Sequence, residues 1–332
     1  MKHLPAEWQK QRAVLMAFPH ENSDWNNDLK SALTPFIRTA QAIAYTTPVY
    51  IICDDIEEVS SLFCSPRNLS FIEIETNDTW IRDFGYISVV EEGEVKLLDF
   101  KFDAWGGKFE SALDNEVNKK LHKKGYMGVT PLESIDFVLE GGAIESDGLG
   151  TILTTSACLC NDNRNGGLNK DEVEEKLKEY LGAKKVLWLD HGYLAGDDTD
   201  SHVDTLARFV SSDTIAYVQC KSEDDEHYVE LKKMEEQLKE FKDSDENFYT
   251  LLPLPLPSAK YDEEHNRLPA TYVNFLITNG ALIYPTYSVE EDKIAHEIFK
   301  DFFVDREIIP VECSRFIEEG GSLHCSTMQI PF

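Results

Sequence analysis

Apolar residues along the chain gather into short runs that alternate with segments of helical period. Runs at residues 14–18, 49–53, 71–74, 87–90 and 95–100 read as strands. So do those at 135–139, 151–155, 186–189, 214–218, 272–277, 281–284 and 308–312. Between them, Leu29, Leu33, Phe36, Ile37 and Ala40 share one helical face, as do Val173, Leu177 and Leu181. Asp171 and Glu172 sit favourably at the start of the latter helix. Leu231, Met234, Leu238 and Phe241 form a stripe on an acidic helix, a pattern of core packing with a solvated back. Strands often come in pairs before each helix, a rhythm that suggests repeated ββαβ units. No Gly/Ser linker or low-complexity block interrupts the alternation, which predicts one α/β domain over residues 1–332.

Composition changes this picture in one respect. Apolar residues at 42% and charged residues at 28% are ordinary for a globular protein, but the net charge of −29 is not. It argues against nucleic acid as a partner, which requires a surplus of Lys and Arg. It suits a solvated acidic surface, and weakly favours a cationic substrate. Residues 1–11 hold no apolar run that could serve as a signal peptide. No stretch approaches the roughly 18 apolar residues needed to span a bilayer, so no membrane partner is expected. Cysteines 53, 64, 158, 160, 220, 313 and 325 are odd in number and form no CxxC pair. That pattern suits a reducing cytoplasm and neither a disulfide framework nor a zinc ribbon.

Four places break the apolar patterning with polar residues, and such breaks are where active sites tend to lie. Asn77-Asp78-Thr79-Trp80-Ile81-Arg82-Asp83 crowds carboxylates, an Arg and a Trp before a strand. Taken by itself, this segment is better accounted for by a turn with an ion pair from Arg82 to a carboxylate. Leu139-Glu140-Gly141-Gly142 closes an apolar run with a carboxylate and two glycines, either a close backbone approach to a ligand or a plain turn. Asp200, His202 and Asp204 alternate into the apolar run 206–210; a polar capping loop explains Asp198 to Ser201 but not His202 and Asp204. Near the C-terminus, Gly320-Gly321-Ser322-Leu323-His324-Cys325 places one thiol in a polar, Gly-rich stretch beside a histidine. A lone Cys is usually a buried apolar residue, yet this one is the best nucleophile candidate of the seven.

Carboxylates, a histidine and a thiol together suit attack on a guanidinium. That group is planar, permanently charged and rich in N–H donors, so carboxylates can grip it bidentately. A thiolate can add to its carbon while His protonates the departing nitrogen and then activates water. Acidic neighbours raise the pKa of a free thiol, so activation is expected only once the cationic substrate arrives.

At this point the motifs resemble those of the agmatine deiminases, grouped with bacterial-type peptidylarginine deiminases. Pro5-Ala6-Glu7-Trp8, Pro19-His20 with Asp24-Trp25, the segment from Asn77 to Asp83, and Leu139 to Gly142 follow in the family's order. So do Asn161-x-Asn163-Arg164-Asn165, His202-Val203-Asp204, Arg267-Leu268-Pro269-Ala270-x-Tyr272-x-Asn274-Phe275 and Gly320-Gly321-x-x-His324-Cys325. The resemblance implies a five-bladed α/β propeller (pentein) of ββαβ units around a pseudo-five-fold axis. It implies Cys325 as nucleophile, His202 as general acid/base, and Asp83 and Asp204 as the carboxylates that grip the guanidinium. Glu140 would bond the remaining guanidinium nitrogens or support His202, and Trp80 would line the pocket. It also implies no metal or organic cofactor, a homodimer, and agmatine as substrate on the way to putrescine, with arginine or peptidyl-arginine as alternatives. Two positions depart from the pattern: Ser201 stands where the family commonly has Gly, and Ser322 where it commonly has Asn. A rival reading assigns Asp200, His202 and Asp204 to a manganese pair, as in agmatinase-like ureohydrolases.

Overall fold

A computed structural model describes residues 2–332. The strands fall into five separate sheets. In each, two antiparallel strands are followed by a helix that returns the chain to a third, parallel strand. Ile87–Glu91, Glu94–Lys101 and Leu132–Val138 make one such sheet, with the helix Val117–Lys123 in the return. Ile144–Ser146, Thr151–Thr155 and Lys185–Leu189 make the next, around Lys170–Leu181. Ala207–Ser211, Thr214–Gln219 and Thr250–Pro255 use the helix Tyr228–Glu240. Leu276–Ile277, Ala281–Thr286 and Glu307–Glu312 use Glu291–Phe302. The remaining sheet joins the two ends of the chain. Met328–Pro331 pairs antiparallel with Gln11–Ala17, which continues in parallel through Val49–Cys53 and Leu69–Glu73. The ββαβ rhythm is therefore present, with one unit split between the termini.

Local chemistry explains the elements. The helix Lys170–Leu181 starts at a reciprocal cap: Glu172 N donates to Asn169 Oδ1 at 3.1 Å and Asn169 N to Glu172 Oε2 at 2.9 Å. It ends at Gly182, whose φ of 71° is the left-handed conformation that closes helices. Val173, Leu177 and Leu181 are buried on its inner face, as their spacing predicts. Phe241 lies just beyond the end of Tyr228–Glu240, so its stripe is one residue shorter as a helix.

The run 272–277 differs from expectation. Only Leu276–Ile277 is a strand, because Asn274 is drawn into a turn by its bonds to other loops. No helix among the described residues is long and apolar enough to cross a membrane. All seven cysteines are free.

Candidate active site

Each sheet's first strand is entered through a tight turn, and four of the five turns carry the polar breaks seen in the sequence. The five are the turn Ile81–Phe84, the turn Gly141–Ala143, the turn Val203–Thr205, residues 271–275 and residues 323–326. Contacts link them in a closed ring. Arg82 N donates to Cys325 O at 3.1 Å, and His324 N to Asn274 O at 3.2 Å. Asn274 Nδ2 donates to Asp204 O at 3.2 Å. Gly142 completes the ring by donating N–H to Asp83 Oδ1 at 2.9 Å while lying against His202 and Asp204. A Cβ at Gly142 would stand 2.7 Å from His202 Nδ1 and 3.2 Å from Asp204 Oδ2, which is why this position requires glycine.

Cys325, His202, Asp83, Asp204 and Glu140 are all buried around this ring. The Cys325 thiol lies 3.5 Å from Asn274 Oδ1 and 4.0 Å from Asp204 Oδ2. Burial, then the negative charges of Asp204 and Asp83, push it well above the usual thiol range. His202 Nδ1 lies 3.6 Å from Asp83 Oδ1. Burial opposes charge on that ring, but Asp83, Glu140, Asp204 and Asp197 outweigh it and raise its pKa. Burial likewise opposes ionisation of Asp204, but a 2.7 Å bond from His324 and the charges of His324, His202 and Arg208 hold its carboxyl below the usual range. In Glu140 burial wins over His202 and Arg164, and the carboxyl sits above its usual range. Asp83 accepts at Oδ2 from Trp105 Nε1 at 2.9 Å.

Among the buried polar atoms around the ring with no protein hydrogen-bond partner, three belong to acid–base groups: His202 Nε2, Asp204 Oδ1 and Glu140 Oε2. Leaving such groups unpaired costs about 1–3 kcal/mol each, and all three are available to bond a ligand. Asp83 and Cys325 line a cleft of about 410 Å³ that opens past Trp80, Trp105 and Phe109. The Trp80 ring packs against Gly321 and is backed by Trp25 and Phe316, with ring centroids 5.7 and 5.9 Å away. The other ionisable groups lining this cleft are Asp24, Asp78, Asp198 and Glu319, and no Lys, Arg or His is among them.

Trp105 and Phe109 of this cleft, and the part played by Arg164, were not singled out from sequence. Arg164 donates through Nε to Glu140 Oε1 at 2.6 Å and through Nη1 to Asp200 Oδ2 at 2.8 Å. Asp200 also bonds Asn163 and Lys108. It is thus committed to cations and an amide, and does not join His202 and Asp204 in a metal site. Among the described residues the one group spaced for a metal ion is Glu140, Cys158 and His202, with ligand atoms within 4.8 Å of one another. That set could hold a single ion, and does not furnish the two-metal arrangement of the rival reading. Arg82 does form an ion pair, but with Glu7, at 3.6 Å, and not with the carboxylates of its own motif.

Comparison with known proteins agrees with this geometry. The family profile of Porphyromonas-type peptidyl-arginine deiminase matches residues 3–331. The agmatine deiminase of Pseudomonas aeruginosa (strain LESB58) is 32% identical over 99% of this chain and 95% of its own length. The structure of a cysteine-to-serine variant of C. jejuni agmatine deiminase with substrate bound superposes with a TM-score of 0.94 at 42% identity, covering 99% of this chain and 96% of that one. A dimethylarginine dimethylaminohydrolase structure shares the mixed α/β fold alone, with a TM-score of 0.55 at 11% identity over 96% of this chain and 100% of that one. With nearly its whole length matched, the chain belongs to the Porphyromonas-type peptidyl-arginine deiminase family.

Proposed function

We propose that the chain is an agmatine deiminase, hydrolysing agmatine to N-carbamoylputrescine and ammonia on the way to putrescine. One observation carries the choice of substrate: the cleft that leads to Cys325 is lined by carboxylates and by no cation. Agmatine is cationic at both ends, so its ammonium tail gains from Asp24, Asp78, Asp198 and Glu319. Free arginine would bring an α-carboxylate into that negative field and find no partner for it.

In this mechanism the guanidinium lies between Asp83 and Asp204, which fix its plane by charge-assisted hydrogen bonds. Glu140 accepts from a further N–H through Oε2. The arriving cation offsets the negative field that holds the Cys325 proton, so the thiol gives that proton to solvent and the thiolate forms in the complex. Its sulfur bonds to the guanidinium carbon, giving a tetrahedral adduct. That adduct expels one nitrogen as ammonia, with a proton supplied by His202, and leaves a Cys325 thiouronium. His202, now neutral, takes a proton from water as the water oxygen adds to the same carbon. Collapse expels the Cys325 thiolate and forms the ureido carbonyl as the adduct's hydroxyl proton leaves to solvent, with His202 protonated as at the start. Trp80 lines the path of the alkyl chain.

The five sheets and the closed ring of turns support a five-bladed propeller, with these residues on its pseudo-five-fold axis and residues 1–332 as one catalytic domain. Seven free thiols suit a cytoplasmic, reducing setting. The assembly carried over from the family is a homodimer, which size-exclusion chromatography with light scattering checks.

The test is product analysis by mass spectrometry with agmatine, free arginine and an arginine peptide, with and without chelator. N-carbamoylputrescine and ammonia from agmatine, insensitive to chelator, are expected. Urea and putrescine, lost on chelation, would overturn the mechanism. Turnover of the peptide alone would keep the chemistry and change the substrate.

A further inference from the structure

Two residues of the sequence motifs take no part in the chemistry above: Glu7, in the N-terminal motif, and His324, beside the nucleophile. The structure brings them together. His324 is 1% exposed. Its Nδ1 lies 2.7 Å from Asp204 Oδ2 and its Nε2 lies 2.7 Å from Glu7 Oε2. Its backbone N–H is fixed by Asn274 Oδ1 at 2.8 Å.

Glu7 is itself firmly held. Oε1 accepts from Ile277 N at 2.7 Å, and Oε2 lies 2.9 Å from Arg208 Nη2 and 3.6 Å from Arg82 Nη2. Arg208 in turn donates through Nε to Glu145 at 2.5 Å. Burial works against ionisation of Glu7, but Arg208, His324 and Arg82 outweigh it and hold the carboxyl well below its usual range. Asp204 is held below its range as well.

An ionised carboxylate only accepts hydrogen bonds. Glu7 has Arg208, Arg82 and the Ile277 N–H around it, so it accepts a hydrogen bond from His324 Nε2; when Nδ1 also donates, to Asp204 Oδ2, the ring is a cation. We propose that His324 is a positioning residue, a buried imidazolium anchored on Glu7 that keeps Asp204 ionised and leaves its Oδ1 for the substrate. This rests on the reading of Asp204 as a guanidinium-gripping carboxylate. It gives the N-terminal segment a place in the site: Glu7 supports the substrate-binding Asp204 from the far side of His324.

The charged groups around Asp204 make the consequence definite. From the neighbouring turns it faces Asp83, His202 and Cys325, and from the adjoining strand Arg208. Around His324 stand Glu7 from the N-terminal segment, with Arg82, Arg208 and Glu145 packed behind it. Without the imidazolium, the buried Asp204 loses its nearest cation and takes up a proton as pH falls.

The experiment is His324→Gln, read as the variant-to-wild-type ratio of kcat/KM for agmatine at several pH values. We expect the ratio to be reduced about tenfold near pH 8 and to fall about tenfold further towards pH 6, as Asp204 protonates in the variant alone. A packing role alone would lower the ratio equally at all pH values, and that result would overturn the proposal. Independently of activity, nitrogen-15 NMR of histidine-labelled full-length protein reads the protonation of His324. Both ring nitrogens should carry protons near pH 8 in the wild type, and the signal should convert to a neutral tautomer in Glu7→Gln. A neutral His324 in the wild type would also overturn it. Because the NMR arm needs no turnover, it decides the proposal even if His324→Gln does not fold or agmatine is not the substrate.

Discussion

Gly142→Ala is the substitution for which the structure gives the sharpest expectation. The added methyl would lie 2.7 Å from His202 Nδ1, 2.9 Å from Asp83 Oδ1 and 3.2 Å from Asp204 Oδ2. Comfortable non-bonded contact needs about 3.5 Å, so His202 or the backbone must yield by roughly 0.8 Å. None of the three neighbours is free to swing away: Asp83 is tied to Trp105 and Asp204 to His324, and all three are buried. A misplacement near 1 Å costs on the order of 10²-fold in rate, or about 2.7 kcal/mol of transition-state binding. Overpacking should cost about 1–3 kcal/mol of stability. Steady-state kinetics with agmatine, beside thermal melts, separates the two effects. The expected result is a folded protein with kcat down about a hundredfold. A variant with kcat within about threefold of wild type would mean that Asp83, His202 and Asp204 do not act from the positions seen here.

Three further expectations follow from the same geometry. Asp204→Asn removes one charge-assisted grip on the cation and should lower kcat/KM by about 3 kcal/mol, roughly 150-fold; unchanged kinetic constants would remove Asp204 from the site. Burial and the charge of Asp114 push the Asp78 carboxyl up to about 7, so Asp78 is neutral below that pH and becomes negative above it. Its attraction for a cationic tail therefore appears as pH rises, and the rise of kcat/KM through about pH 7 should be smaller in Asp78→Asn, measured over the same range. Ser201, with φ at 68°, holds a left-handed conformation that glycine adopts without strain. Ser201→Gly should thus stabilise the protein by about 0.5–1 kcal/mol in denaturant titrations with activity kept, and a loss of stability would show that the Ser side chain matters more than its backbone.

That same φ explains a departure noted in the sequence, where the family commonly has Gly before its histidine. Cys325, His202, Asp83, Asp204 and Glu140 were legible because each lies where polar residues interrupt the apolar patterning, and the structure gathers all five. What escaped was relational. Asn274 looked like one polar residue in a strand, whereas its side chain ties the turns of Asp204 and Cys325 together. Arg164 and Glu7 are single charges whose partners lie far away in sequence. Thr250–Pro255 was missed as a strand because of Pro253 and Pro255. It lies at a sheet edge, paired on one side only, where alternate residues can lack an N–H without breaking the ladder. Three return helices, Leu29–Ala44, Lys170–Leu181 and Tyr228–Glu240, were legible from apolar spacing, which needs no long-range information, whereas Val117–Lys123 and Glu291–Phe302 were not read. The meeting of the chain's ends in one sheet was not, because no local pattern encodes it.

The most direct measurement is rapid-quench mass spectrometry of the enzyme during agmatine turnover, with the Cys325→Ser variant as control. The expected result is a transient adduct on the peptide carrying Cys325, with the mass of agmatine less ammonia, absent in a folded and inactive Cys325→Ser protein. Product formation with no adduct, an adduct on Cys158 or another thiol, or full activity in Cys325→Ser would contradict covalent catalysis by Cys325.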